Sequence, residues 1–292
     1  MRKISKKQPI ITISNADYSY PNGSIALKNI NLNIFKGELV GIMGKNGAGK
    51  TTLIRTLNGL IRPIKGNIYI DGVNLSSKSI ALLSKKVGII FQNPNHQLFA
   101  NTIEEEIKFS LGNLDLTKEE IKVRLNEVLK KFKLEKYRER SPLNLSGGES
   151  KKLAIASIIC RNPDILVFDE PTLGQDAKEI QFFIELITEE RKKGKTIIIV
   201  THNIEFALDY LPRSILMTDG KIIADGPTEK VLKNEALIEV TSLISPQIFQ
   251  FKKALEEIDL RPPVTVESKD QMFSFLKEVF LGKSKKIQGD VS

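Results

Sequence analysis

The residues best able to do chemistry stand close together at Gly44-Lys45-Asn46-Gly47-Ala48-Gly49-Lys50-Thr51. Two glycines separated by four residues, then Lys and Thr, form the G-x-x-x-x-G-K-[ST] phosphate-loop pattern. Glycines let successive backbone N–H groups converge on phosphate oxygens without a Cβ in the way. An apolar run (Leu39, Val40, Ile42, Met43) precedes the loop, and Thr52-Leu53-Ile54 can start a helix whose positive end faces the same anion. Lys50 can reach the β- and γ-phosphates, and the Thr51 hydroxyl can ligate Mg²⁺. The bland alternative, an ordinary glycine-rich turn, does not require strand, loop and helix to agree. The stretch implies a nucleoside triphosphate.

Two later runs end in groups that could act on it. Ile165-Leu166-Val167-Phe168 reads as a strand buried on both faces and stops at Asp169-Glu170. Ligands bind beyond the carboxyl ends of parallel strands, where an Asp can reach loop-held Mg²⁺. The neighbouring Glu is free to polarise a water. Thr196-Ile197-Ile198-Ile199-Val200 repeats the pattern and ends at Thr201-His202. A lone histidine is usually structural, but this one shares the strand-end position, which favours a γ-phosphate contact. Leu145-Ser146-Gly147-Gly148-Glu149 opens a second glycine turn into a helix, a weak anion signal when taken alone.

The elements that must position these groups are legible in outline. Ile10–Ile13 and Asp17–Tyr20 read as two short strands, Ile30–Ile34 alternates with period two, and Asn67–Ile70 before Asp71-Gly72 signals a hairpin. Tyr20, just before Pro21-Asn22-Gly23, could stack on a base or fill the sheet; the residues alone favour filling. Thr102-Ile103-Glu104-Glu105 and Thr117-Lys118-Glu119-Glu120 read as capping boxes, so residues from about 95 to 160 form helices inserted between strands. Beyond about 235, amphipathic helices break at Pro246 and Pro262-Pro263, and residues 281–292 are expected to be a disordered tail.

Composition bounds the rest. The chain has 292 residues, 41% hydrophobic and 27% charged, as in a globular protein. No apolar run approaches the roughly 18–20 residues needed to span a bilayer, and the basic start, Met1 to Lys7, lacks a signal peptide's apolar region. A single cysteine, Cys160 among isoleucines, excludes an internal disulfide and reads as a buried structural thiol. The net charge of +9 invites negative partners, and residues 118–140 alone hold nine Lys/Arg against five Glu. Solvated helix faces explain that block more simply than a membrane surface or a nucleic acid.

In chain order, the phosphate loop, Gln92 after a strand, Leu145–Glu149, Asp169-Glu170 and His202 closely resemble the ATP-binding subunit of ABC transporters over about residues 10–235. The resemblance implies an α/β fold: a RecA-like phosphate-loop core with an N-terminal antiparallel β subdomain and an inserted α-helical subdomain. It assigns ATP and Mg²⁺ to the chain. Tyr20 becomes the aromatic that stacks on adenine, and Gly44, Asn46, Gly47, Ala48, Gly49, Lys50, Thr51 and Thr52 hold the nucleotide. Thr51, Gln92 and Asp169 associate with Mg²⁺, while Gln92 also touches the attacking water. Glu170 is the general base and His202 the switch histidine. Ser146, Gly147, Gly148 and Glu149 form the signature, which contacts ATP bound to a second subunit. Gly174-Gln175-Asp176 departs from the commoner Ser-Ala-Leu-Asp at the D-loop but keeps the acid.

Within the family, Phe91–Phe99, Lys151 with Lys152, and the tail at Pro262-Pro263-Val264 are similar to the energy-coupling factor group of importers. That likeness implies a domain at 8–235, a dimerising helical extension at 236–280, and a peripheral place on the cytoplasmic face of the membrane. Its partners would be a second ATPase subunit, a transmembrane scaffold and a substrate-binding membrane protein, with no nucleic acid. An exporter cassette fits the same motifs. A translation-associated or chromosome ABC protein would need a second cassette or a long coiled coil.

Overall fold

The computed structural model describes residues 8–260, 262–263 and 269–289. Two sheets and a layer of helices build it. Strands β1 (Pro9–Ser19) and β2 (Ile25–Phe35) form a long antiparallel ribbon. It leads into β3 (Leu39–Met43), the phosphate loop and α1 (Lys50–Leu57). The hairpin β4 (Lys65–Ile70) and β5 (Val73–Asn74) completes a four-stranded sheet of order β2-β1-β4-β5. Its turn residues Asp71 and Gly72 both have positive φ, 52° and 74°, as a two-residue hairpin turn requires. The two short strands read at 10–13 and 17–20 are one strand: Asn15 takes φ 50°, and the pairing register shifts between Ser14 and Asp17. A bulge lets polar residues sit mid-strand without ending it.

Helix α2 (Ile80–Lys86) feeds β6 (Val87–Ile90), after which the chain turns helical: α3 (Ile103–Leu111), α4 (Lys118–Phe132) and α5 (Gly147–Ile159). Thr117 and Glu120 make both bonds of their capping box. Thr102 makes only half of one, accepting from Glu105 N–H at 3.1 Å, and the next N–H groups, of Ile103 and Glu104, donate to Arg140 and Arg138 carbonyls. Then β7 (Ile165–Asp169), α6 (Ala177–Lys192), β8 (Thr196–Val200), α7 (Ile204–Tyr210) and β9 (Arg213–Thr218) alternate. The hairpin strand β10 (Lys221–Pro227) closes a six-stranded sheet of order β10-β9-β3-β8-β7-β6, parallel except at β10.

This sheet is the middle layer. Val167, Ile198, Val200 and Ile42 point to one side, into a core shared with α1 and the four-stranded sheet. Leu166, Phe168, Ile197 and Ile199 point to the other, into a core shared with α3 to α6. Both faces being covered is why these strands are continuous apolar runs rather than alternating ones.

Helices α8 (Thr228–Lys233), α9 (Glu235–Val240), α10 (Gln247–Glu257) and α11 (Lys269–Gly289) end the chain. Helix α11 runs through Gly289, within the stretch expected to be a disordered tail. Leu281, Lys283, Lys285, Lys286 and Gln288 are good helix formers with no proline among them, so a helix begun upstream propagates. Residues 290–292, Met1 to Lys7 and Val264 lie outside the described residues. Among those described, no helix is long and apolar enough to cross a membrane.

A candidate nucleotide site at the strand ends

Strands β3, β7 and β8 are neighbours and run the same way, so the residues after them converge. Gly49, φ 97°, turns the chain from the loop into α1, and a Cβ there would lie 2.4 Å from the Ala26 carbonyl oxygen. Only glycine satisfies both the backbone angle and that closeness. The α1 N-terminus has no side-chain cap, so its leading N–H groups are left for an external acceptor. The Lys50 ammonium donates to the Gly44 and Lys45 carbonyls at 2.6 and 3.0 Å. Burial lowers its pKa, while the carboxylates of Glu170 and Asp169 act to raise it.

Asp169 is 6% exposed and accepts a hydrogen bond from the Thr51 hydroxyl, 3.2 Å, at Oδ2. Burial raises its pKa against the opposing effect of that bond. A hydroxyl and a carboxylate meeting beside an anion cradle are the hard oxygen ligands that suit Mg²⁺, so the donor set fits the ion.

Glu170 adopts φ 51°. It is held there by its own N–H donating to Val200 O at 2.8 Å and by its carbonyl accepting from Leu173 N–H at 3.3 Å. A left-handed conformation costs a residue with a Cβ about 1–2 kcal/mol. Here it turns the carboxylate towards β8, where Oε1 lies 2.8 Å from His202 Nδ1 and Oε2 accepts from His202 N–H at 3.3 Å. The imidazole, half exposed, donates to and orients the acid.

Tyr20, Ala26, Asn46 to Thr52, Gln92, Asp169 and Glu170 line one cleft of about 310 Å³. Tyr20 does both things the sequence left open. Its ring packs edge-on against Tyr18, centroids 5.1 Å apart, while its hydroxyl hydrogen-bonds Thr52 Oγ1 at 2.8 Å and its side chain borders the cleft. Ser24 and Ile25 also line the cleft, and the sequence reading gave them no role; only the fold of the β1–β2 ribbon brings them there. Gln97, outside this cleft, donates its amide to Ala154 O at 2.9 Å and braces the Gln92 loop against α5.

The signature residues are not in this cleft. Ser146 caps α5: its Oγ accepts from Glu149 N–H at 3.3 Å, and Glu149 Oε2 accepts from Ser146 N–H and Oγ–H at 2.9 and 2.8 Å. Gly147 and Gly148 border a second cleft, about 440 Å³, with Leu173, Gly174 and Gln175. Gln92 lines both clefts. Asp176 caps α6, accepting from Glu179 N–H at 2.8 Å. His202, by contrast, reaches the nucleotide cleft only through Glu170. Cys160 is buried and its thiol is pushed up to about 12, as expected of an inert structural group.

A covered parallel sheet with a phosphate loop after β3 and two acids at the end of β7, two places along, defines a phosphate-loop nucleotide-binding domain. The model of the ABC transporter family matches residues 27–173, and the chain belongs to that family. An ABC transporter ATP-binding protein of Methanosarcina acetivorans is 40% identical over 92% of this chain. The chain spans under half the length of that protein, 44%, and of one from Methanosarcina mazei, 38%. The energy-coupling factor transporter ATP-binding protein EcfA of Methanocaldococcus jannaschii is 38% identical, over 87% of this chain and 91% of that protein. Among solved structures, CbiO1 from Clostridium perfringens, described as part of the ABC transporter complex CbiONQ, superposes with a TM-score of 0.71. Its identity is 33%, over 84% of this chain and 99% of that one.

Proposed function

We propose that the chain is the ATP-hydrolysing subunit that powers import by an ABC transporter of the energy-coupling factor type. The observation that carries the reading is the pair of clefts: phosphate loop, Asp169 and Glu170 in one, signature glycines in another. One chain thus holds a binding half and a contacting half that do not meet, and two copies, or this chain and a sister ATPase, would complete two sites. Tyr20 would border the base, the loop and Lys50 the phosphates, and Thr51, Asp169 and Gln92 would hold Mg²⁺, which neutralises developing phosphate charge. Glu170 would take the proton of the attacking water, with His202 fixing the carboxylate.

Two exposed apolar regions suit the further partners. Phe99 and Phe109, 65% and 57% exposed, stack edge-on 4.7 Å apart beyond the Gln92 loop, where a helix of the membrane scaffold would dock at the cytoplasmic face. Ile244, Ile258 and Phe273 are exposed apolar residues of the segment after residue 235, suited to pairing of two extensions. A metal ion such as cobalt or nickel, or a vitamin, is the cargo class that the resemblance implies. The test is Mg²⁺-dependent ATP turnover by the purified chain and its capture with a co-expressed scaffold and substrate-binding membrane protein. Absence of turnover with the scaffold present would refute the proposal.

A further inference from the structure

Between the two clefts lies a connection to which neither binding role gives a purpose. Lys151, one turn into the signature helix α5, is 7% exposed, and its ammonium donates to the Leu173 carbonyl at 3.1 Å. The N–H of the same residue, Leu173, donates to the Glu170 carbonyl. Leu173, just before the D-loop, is therefore bonded on one side to the signature helix and on the other to the backbone of the general base. That base sits in the left-handed conformation, so its carboxylate direction depends on what holds the turn after it.

A second contact runs alongside. A Cβ on Gly148 would lie 1.9 Å from Glu179 Oε1, so the bare backbone of the signature packs on the carboxylate at the start of α6. Glu179 Oε2 in turn accepts from Asp176 N–H at 3.4 Å, at the end of the D-loop. Glu179 and Glu170 are also the carboxylates whose charges favour the buried Lys151 ammonium. Burying an ammonium on one hydrogen bond is a poor route to stability, since desolvation offsets most of the gain. Its geometry suits a linkage better than a staple.

We propose that Lys151 is a positioning residue that couples the signature to the general base through Leu173, with Glu179 as the second leg. When a partner's nucleotide draws the signature helix in, Lys151 carries the shift to Leu173 and sets the Glu170 turn for hydrolysis. The proposal rests on the ATP-hydrolysing reading above, and one experiment separates the two. Steady-state ATP hydrolysis and titration with N-methylanthraniloyl-ATP are measured on the full chain as wild type, Lys151→Met and Lys151→Arg.

The expected result is a kcat lowered about tenfold or more in Lys151→Met with KM and analogue affinity within about twofold, and recovery of most of the kcat in Lys151→Arg. A buried lysine with only a packing role would not split kcat from affinity, nor be rescued by another cation. Wild-type kcat in Lys151→Met overturns the proposal, as does a loss confined to affinity. If Lys151→Met does not fold, Glu179→Gln takes its place: a kcat about threefold lower at unchanged affinity supports the coupling, and a wild-type kcat overturns it. A wild type without turnover sinks both readings, whereas an active wild type with an unaffected variant sinks this one alone.

Discussion

Helices α1 and α5 both carry glycines at their start, and they begin differently. At α1 the N-cap is Gly49, with no side chain to offer, and the phosphate loop wraps the helix end with backbone donors. At α5 the N-cap is Ser146, locked in a reciprocal box with Glu149. The Glu149 carboxyl is held down near 2, first by the Tyr137 hydroxyl and then by the Ser146 amide and hydroxyl. The first helix end leaves its positive pole for a ligand; the second satisfies part of its own before any ligand comes. Burial follows the same division, with Lys50 and Asp169 buried and Ser146 and Gly147 near the surface. On the proposed function, a cradle that would hold three phosphates is left open, whereas a surface that would meet another subunit's nucleotide is first made rigid. Similar sequence signals, glycines at a helix start, thus serve two purposes.

The strongest break of that comparison is Glu170→Gln. It should cut turnover by about 10²–10⁴-fold while leaving nucleotide affinity intact, and ATP should then hold the chain as a dimer on gel filtration. Wild-type turnover in this variant would remove Glu170 as the base. Next in size is Lys50→Met at the open helix end, expected to weaken nucleotide binding about 10- to 100-fold, the cost of a lost charge-assisted contact. An equal loss of single-chain affinity on changing Ser146 would erase the distinction between the two helix ends.

Ser146→Ala should instead leave single-chain binding unchanged and remove about 1 kcal/mol of stability, seen as a thermal midpoint lower by about 2–4 °C. Turnover should fall as well if the signature serves the paired state, as proposed. The smallest effect is electrostatic. Because the folded-state pKa of Glu149 lies below its ordinary value, the ionised carboxylate stabilises the fold above the usual carboxylate range. That contribution is lost as pH falls from about 4.5 through about 2. Glu149→Gln should therefore lower the midpoint by about 1–2 °C at neutral pH, with the gap from wild type closing on acidification across that window. A gap that stays constant with pH would show the Glu149 charge to be irrelevant to the cap.

Much of this was legible before any fold was drawn. The apolar runs before Gly44, Asp169 and Thr201 gave three parallel strands, and covering of both sheet faces by helices or the second sheet explains why they lack alternation. The bulge at Asn15 was not legible, because the polar Asn15 and Asp17 look like a strand break when their pairing partners are unseen. Lys151 and Gln97 were visible only as parts of motifs, and Ser24 carried no signal at all.

The sequence by itself determined the chemistry of the nucleotide site, because a phosphate loop, a strand-end acid and its neighbour are local patterns with local physical reasons. Only the tertiary structure decided which of these groups meet. It set Glu170 in a left-handed turn against His202, brought Tyr20 to Thr52, and kept Gly147 and Gly148 in a cleft apart from the loop. Those outcomes depend on strand order and on which faces are buried, long-range pairings that no stretch of the chain contains alone.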